Sequence, residues 1–262
     1  AAIEEAMRNY ASEEYDLVIG HGFEFGEPAM RVAPEFPDVK FFVSGKMPDG
    51  VTEADLPENA GFMDYREYEG AYLAGIVAGG MTESNIIGYV AGLEIPTQLS
   101  DLAGFVQGVK RINPDAKVYG VVTGTFEDPA KGKEAALALY DMGCDIVFAV
   151  AGKTGEGVFE AAAETGNYAI GVDSDQKYIN PDLILCSMVK KVNKSIYDVV
   201  SDMDGKFQPG QIWSADMATG YIDVAYGTED MPQQVSDELK AEVEELKEKI
   251  ISGEIVVPST LN

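Results

Sequence analysis

At 262 residues with 46% hydrophobic content, the chain can build one large domain or two of ordinary size around a substantial core. Its 19 Lys and Arg against 45 Asp and Glu give a formal charge of -26, which repels nucleic acid, anionic lipid and phosphorylated ligands wherever no local basic site intervenes. Neutral or cationic small ligands are the favoured partners; no run approaches the roughly 20 apolar residues of a membrane span, and no basic start with an apolar h-region is present.

AAIEEAMRNYASEEYDLVIGHG predicts a helix and then a strand, although a parallel α/β sheet normally opens on a strand in or near its middle. After DLVIGHG, further short apolar runs follow: KFFVSG, NIIGYVAG, KVYGVVTG, DIVFAVAG, YAIGVD and LILCSMV. They are continuous rather than alternating, which predicts strands covered on both faces and hence parallel sheets with helices on either side. NAGFMDYREYEGAYLAGIVAGGMTESN joins the first runs to the rest through a strand-like piece and a helix whose Ala71, Ala74, Gly75, Ala78 and Gly79 permit close packing. That stretch predicts a crossing between two lobes. In PTQLSDLAGFVQGVKRINP, Leu99, Leu102, Ala103 and Val106 form an apolar helical stripe ended by Asn113-Pro114. In FEDPAKGKEAALALYDMG, Asp128 is placed to N-cap a helix, Pro129 fits its first position, Ala136, Leu139 and Tyr140 follow helical spacing, and Gly143 is the stop. The tail SDELKAEVEELKEKIISGEI predicts an amphipathic helix with Leu239, Val243, Leu246 and Ile250 on one face and Glu245 four before Lys249 on the other. The fold class is α/β.

The chemistry-bearing motifs are few. VFAVAGKTGEGVF, residues 147–159, carries Gly-Lys-Thr, but a phosphate-binding loop needs G-x-x-x-x-G-K-[ST], and Val147 stands where its first glycine belongs. Cys144 and Cys186 each lie in an apolar run and read as small buried hydrophobes rather than as a disulfide or a reactive thiol. The single His21 excludes a histidine-built metal centre, and no G-x-S-x-G elbow accompanies it for a catalytic triad. After YDLVIG it reads as a satisfied or solvent-facing histidine. No metal cluster is legible and no cofactor is expected.

DYREYEGAYLAG, IPTQLSDLAGFVQGVKRINPDAKV, TFEDPAKGKEAALALYDMGCD, AGKTGEGVFEAA, YAIGVDSDQ and SMVKKVN, in this order, closely resemble the basic membrane protein family. These are substrate-binding lipoproteins of ABC importers, including purine nucleoside receptors, and the resemblance runs to the closing EKIISGEIVVP. It implies a type I periplasmic-binding-protein fold of two Rossmann-like lobes joined by three crossings. Residues 1–65 and 191–225 would form the N-terminal lobe, and 66–190 with 226–262 the C-terminal lobe. It also implies a nucleoside in the cleft between lobes, bound by hinge closure. Family members begin with a strand, an Asp-Asp-x-Ser-Phe-Asn-like loop, a helix and a second strand, so roughly 40 to 70 residues of that lobe would precede residue 1, at about 30 residues per βαβ unit.

The resemblance further assigns expected ligand contacts, all at strand ends. Asp173, ending AIGVD, is similar to the family's ribose-binding aspartate, whose oxygens can accept from two vicinal hydroxyls, and Lys190, ending CSMVK, to the lysine that donates to the same sugar. The bland alternative for this pair is a surface salt bridge. Phe126, in GTFEDP, would stack on the base, and Phe23, in GHGFEF, is either the opposite wall or core packing. Glu94, in GLEIP, stands where the family often has aspartate and would reach a polar group of the ligand; Gly152 belongs to the glycine-rich loop that lets backbone approach it. Lys153 reads as surface variation or a local contact, and Asp175 and Gln176 as supports of the site.

The expected function is therefore a non-enzymatic, extracytoplasmic nucleoside receptor, purine-preferring, that delivers its ligand to an ABC permease and meets the membrane only through a lipid anchor outside this chain. The acidic chain and the lack of a phosphate nest favour a nucleoside over a nucleotide. Two alternatives share the fold: a nucleoside-hydrolysing enzyme, for which Asp173 and Asp175 alone offer carboxylates, and a cytoplasmic ligand sensor.

Overall fold

The continuous apolar runs become parallel strands, because a strand covered by helices on both faces has no solvent side to mark with polar residues. The computed structural model describes residues 1–13, 15–48, 50–202 and 205–261. In chain order its elements are α1 (Ala2–Ser12), β1 (Leu17–His21), α2 (Gly26–Val32), β2 (Lys40–Ser44), β3 (Ala60–Tyr65), α3 (Glu67–Met81), β4 (Ile86–Ala91), α4 (Pro96–Ile112) and β5 (Lys117–Val122). There follow α5 (Pro129–Asp141), β6 (Ile146–Val150), α6 (Glu156–Thr165), β7 (Tyr168–Asp173), β8 (Ile184–Lys190), α7 (Val192–Ser201), β9 (Ile212–Ala215), β10 (Ile222–Ala225) and α8 (Asp237–Ile251). No helix among the described residues is long and apolar enough to cross a membrane.

The chain divides into two units, Ala1–Arg66 with Lys191–Tyr221, and Glu67–Lys190 with the chain from Ile222 onward, so it passes from one to the other at 66/67, 190/191 and 221/222. This moves the boundary expected from the sequence. Residues 222–225 were assigned to the first lobe, but they form β10, which pairs antiparallel with β8 from Ile222↔Lys190 to Ala225↔Ser187 and so belongs to the second unit.

The first unit holds a parallel sheet of order β1-β2-β3-β9. Met7, Val18, Val32, Phe41, Val43 and Phe62 are buried on one side of it, and Phe42, Met63, Val199, Phe207 and Tyr221 form the cluster on the other. Strand β9 was not foreseen: IWSA is too short for periodicity to register and is selected by its parallel pairing with β3.

The second unit holds a sheet of order β10-β8-β7-β6-β4-β5, parallel except for β10. Numbered from β4, its parallel strands run 2-1-3-4-5, and the order reverses between β4 and β6. Such a reversal leaves a crevice at the strands' carboxyl ends. Helix α3 is buried along Glu69–Gly79, as a helix of small and apolar residues must be. It packs on α4 at glycines. A Cβ at Gly104 or Gly108 would overlap the carbonyl oxygen of Tyr68 or Tyr72, and one at Gly75 that of Phe105. The buried face of α4 is accordingly Asp101, Ala103, Gly104, Phe105, Gly108 and Val109, not the expected stripe through Leu99, Leu102 and Val106; Leu99 is exposed. Close backbone approach, rather than side-chain bulk, chose the face.

The cap expectations for α5 hold: the Asp128 carboxylate accepts from the backbone N–H groups of Ala130 and Lys131. In α8, Val243, Leu246 and Ile250 are buried, and Lys249 pairs with Glu245 at 2.6 Å. Both cysteines are free and buried, and burial raises their thiols to about 11 for Cys144 and about 12 for Cys186.

Candidate functional site

Gly92 and Gly152 flank the reversal between β4 and β6, each just past a strand's carboxyl end. The Phe126 ring fills the space a side chain at Gly92 would need, and a Cβ on Gly152 would sit 3.4 Å from Phe126. Gly152 also has φ +55, the left-handed conformation that favours glycine. Phe126 is half-buried and pinned through its backbone: its carbonyl accepts from the Thr154 N–H at 3.0 Å. The Thr154 hydroxyl accepts from the Asp128 N–H at 2.9 Å and donates to the Thr125 carbonyl at 3.1 Å. The threonine of Gly-Lys-Thr is thus a buried latch between two loops, and Lys153 is exposed. That answers what the motif does in place of holding phosphate.

At the neighbouring strand ends, Asp173 closes β7 and Lys190 closes β8. Asp173 is a non-glycine residue at φ +66, a conformation that raises the backbone's energy and lifts its carboxylate out of the strand's alternation. The Lys190 ammonium lies 3.1 Å from Asp173 Oδ1 and donates to Glu67 Oε1 at 2.7 Å. The side chains of Lys190 and Glu67 are 18% and 16% exposed, whereas that of Asp173 is 52% exposed. Burial alone would depress the Lys190 pKa, but the Glu67 and Asp173 carboxylates outweigh it and raise it. The pair is therefore no ordinary surface salt bridge. Asp173 remains half-exposed beside the more deeply buried ammonium.

Behind them stands a residue that the sequence reading missed. Asp101, on α4, is 1% exposed. Its Oδ1 has no hydrogen-bond partner among the described residues. Burial and then the Glu67 carboxylate push Asp101 well above the usual carboxylate range. Tyr89, equally enclosed, is raised by its own burial and by Asp101, and its hydroxyl donates to the Gln98 carbonyl at 3.2 Å. The legible signal was a carboxylate at the i, i+3, i+4, i+7 spacing of Asp101, Gly104, Phe105 and Gly108. Glu67 offered only its place in a helix's first turn, one acid among many.

Asp175 and Gln176 serve the backbone. Asp175 accepts from the Gly227 N–H at 3.0 Å, and the Gln176 side chain accepts from the Val172 N–H at 2.8 Å. Glu94 is exposed in the loop after β4 and has no hydrogen bond or ion pair among the described residues. Phe23 belongs to the other unit and is 49% exposed in a single 3-10 turn, Phe23–Phe25, so it is not core there. In that unit the strand ends carry a polar chain: His21 Nδ1 lies 2.9 Å from the Ser44 carbonyl, Ser44 Oγ is 2.8 Å from Tyr65 Oη, and Tyr65 bonds Ser195. His21 is a satisfied histidine. Among the described residues no group of acids, histidines and cysteines is arranged to hold a metal.

Residues 1–260 match the Bmp family, described as ABC transporter substrate-binding protein, PnrA-like. The chain belongs to this family. The ABC transporter nucleoside-binding protein BmpA of Lactococcus lactis is 32% identical over 275 residues, covering 96% of this chain and 74% of that protein. Basic membrane protein A of Borreliella burgdorferi is 32% identical over 249 residues, covering 93% of this chain and 71% of its own length. Among solved structures, an ABC transporter solute-binding protein from Aeropyrum pernix K1 superposes with TM-score 0.81 at 28% identity, covering 98% of this chain and 81% of that one. The architecture is that of a type I periplasmic binding protein, and this Bmp-family chain is a substrate-binding protein of an ABC transporter, not an enzyme.

Proposed function

We propose that this Bmp-family chain is an extracytoplasmic, lipid-anchored receptor that binds a nucleoside, with purines preferred, and passes it to the permease of an ABC importer. One observation carries the reading: a half-exposed carboxylate, Asp173, held by the ammonium of Lys190 at the ends of adjacent strands. Two carboxylate oxygens accept from two vicinal hydroxyls, and the Lys190 ammonium is the donor at the same end of the sheet. The Phe126 ring at the β4/β6 reversal is the base platform, and Gly92 and Gly152 leave it room. Glu94 and Phe23 are proposed to meet the outer edge of the ligand. The printed name of the Lactococcus lactis relative supports a nucleoside. Hinge motion is assigned to the three chain crossings, with the ligand stabilising the closed state by its differential contacts.

Calorimetric titration with inosine and 2′-deoxyinosine tests the diol reading. Loss of one hydroxyl that meets a buried charged acceptor should weaken binding about 10-fold or more. Equal affinities for the two would remove the sugar from Asp173 and Lys190.

A further inference from the structure

Three adjacent strands of the first unit each end on a polar side chain: β1 on His21, β2 on Ser44 and β3 on Tyr65. Hydrogen bonds link them in that order and run on to Ser195 in the first turn of α7. His21 Nδ1 lies 2.9 Å from the Ser44 carbonyl and 3.3 Å from Ser44 Oγ, and Ser44 Oγ lies 2.8 Å from Tyr65 Oη. Tyr65 bonds Ser195, whose hydroxyl donates to the Val192 carbonyl at 2.8 Å. The carbonyls at the two ends set the direction of every bond between them. A carbonyl has no proton to give, so Nδ1 carries one, and Ser195 commits its own to Val192. Tyr65 then donates to Ser195, Ser44 donates to Tyr65, and Ser44 Oγ is left to accept from Nδ1–H. The backbone beside the ring is held as well: the Ser44 carbonyl also accepts from the Gly22 N–H at 3.1 Å, and a Cβ at Gly45 would sit 2.9 Å from the Gly22 carbonyl oxygen.

We propose that His21 is a ligand-binding residue of the first unit, held by this chain of bonds as the Nδ1–H tautomer so that Nε2 presents its lone pair to a hydrogen-bond donor of the ligand. Ser44 and Ser195 are fully buried, whereas His21 is exposed and its Nε2 has no hydrogen-bond partner among the described residues. The buried hydroxyls are thus satisfied by one another and by the ring, and they orient the one member that faces outward. His21 closes β1 at the carboxyl end of a parallel sheet, where ligands of open α/β sheets bind, and the exposed Phe23 follows two residues later. A neutral imidazole nitrogen accepts from O–H or N–H and rejects a carbonyl or phosphate oxygen. The identity of the donor rests on the nucleoside reading. With the vicinal diol assigned to Asp173, the groups that qualify are the 5′-hydroxyl of the ribose and an N–H on the edge of the base.

The chain holds a single histidine, so protein labelled on its histidine nitrogens shows one imidazole ring in the NMR spectrum. Recorded without ligand at about pH 8, proton–nitrogen correlations should show Nδ1 as the protonated, pyrrole-type nitrogen and Nε2 as the pyridine-type one. The reverse pattern, or an average of the two, would overturn the fixed tautomer whatever the ligand. Saturating inosine should move the Nε2 resonance toward the pyrrole-type position and leave Nδ1 nearly still; an unmoved Nε2 would overturn the contact. Calorimetry then identifies the donor. Either 5′-deoxyinosine or 1-methylinosine should bind the wild-type protein about 5-fold or more weakly than inosine does, and that penalty should vanish in His21→Ala. Penalties that persist in His21→Ala, with the variant folded by circular dichroism, would place both donors elsewhere and overturn the contact. If wild-type protein binds no nucleoside, the receptor reading fails and the ligand role of Nε2 with it, and the ligand-free spectrum still decides the tautomer.

Discussion

Replacing Lys190 by Met removes the ammonium while keeping most of the stem's volume, and leaves Glu67 and Asp173 without their counter-charge. About five-sixths of each side chain of the Lys190–Glu67 pair is out of water, given exposures of 18% and 16%. Breaking a pair so enclosed from one side destabilises by about 3 to 5 kcal/mol, and the remaining exposure argues for the lower end, about 3. In urea this moves the midpoint of the second unit's transition by about 1 M. The double variant Lys190→Met with Glu67→Gln should recover at least half of the loss, since the orphaned charge is then gone, and the cycle isolates the coupling. The Lys190 pKa is raised in the folded state, so its contribution is full below the ordinary lysine value and fades only as pH climbs through the raised one. The cycle measured between about pH 7 and 9 should therefore be flat on account of the lysine. A loss under about 1 kcal/mol, with no recovery in the double variant, is what an exposed salt bridge gives and would refute this reasoning.

Three further perturbations follow from the same contacts. Asp101 has its pKa raised on folding, so its contribution is full below the ordinary carboxylate value and is lost as pH rises toward the raised one; wild type should lose about 1.4 kcal/mol per pH unit relative to Asp101→Asn as pH climbs above the ordinary carboxylate value, read from urea curves, and parallel pH profiles would contradict the proton uptake. Phe126→Ala should weaken purine nucleoside binding by about 1 to 3 kcal/mol in calorimetry, and Gly92→Ala should do likewise by displacing the ring; unchanged affinities would take the base elsewhere. Gly104→Ala should destabilise the second unit by about 1 to 3 kcal/mol in urea unfolding, because its methyl meets the Tyr68 carbonyl; a neutral effect would mean that α3 and α4 can separate freely.

The parts of the fold legible in the sequence were those with a repeated signal. Continuous runs such as DIVFAVAG and LILCSMV became the central strands β6 and β8, and Asp128-Pro129 marked the start of α5. Four-residue strands carried no such signal, so β10 was assigned to the wrong side of the 221/222 crossing. The face of α4 was misread because apolar bulk pointed to Leu99, whereas a glycine contact buried Asp101 instead. Asp173 and Lys190 were singled out by the family resemblance, which placed them at the ends of two strand-like runs, and the structure brings them together at 3.1 Å. Glu67 and Asp101 were not, because what distinguishes them is burial, which depends on how closely α3 and α4 pack and not on local pattern.

The measurement that bears most directly on the central claim is a thermal melt of the ligand-free protein with inosine, guanosine, adenosine, cytidine and uridine, against ribose, free adenine and leucine. A ligand at about 100 times its dissociation constant adds about 2.7 kcal/mol to stability and raises the melting temperature visibly. The expected result is a rise with the nucleosides, largest for purines, and none with the three controls. No rise with any nucleoside, or an equal rise with ribose alone, would contradict a nucleoside receptor.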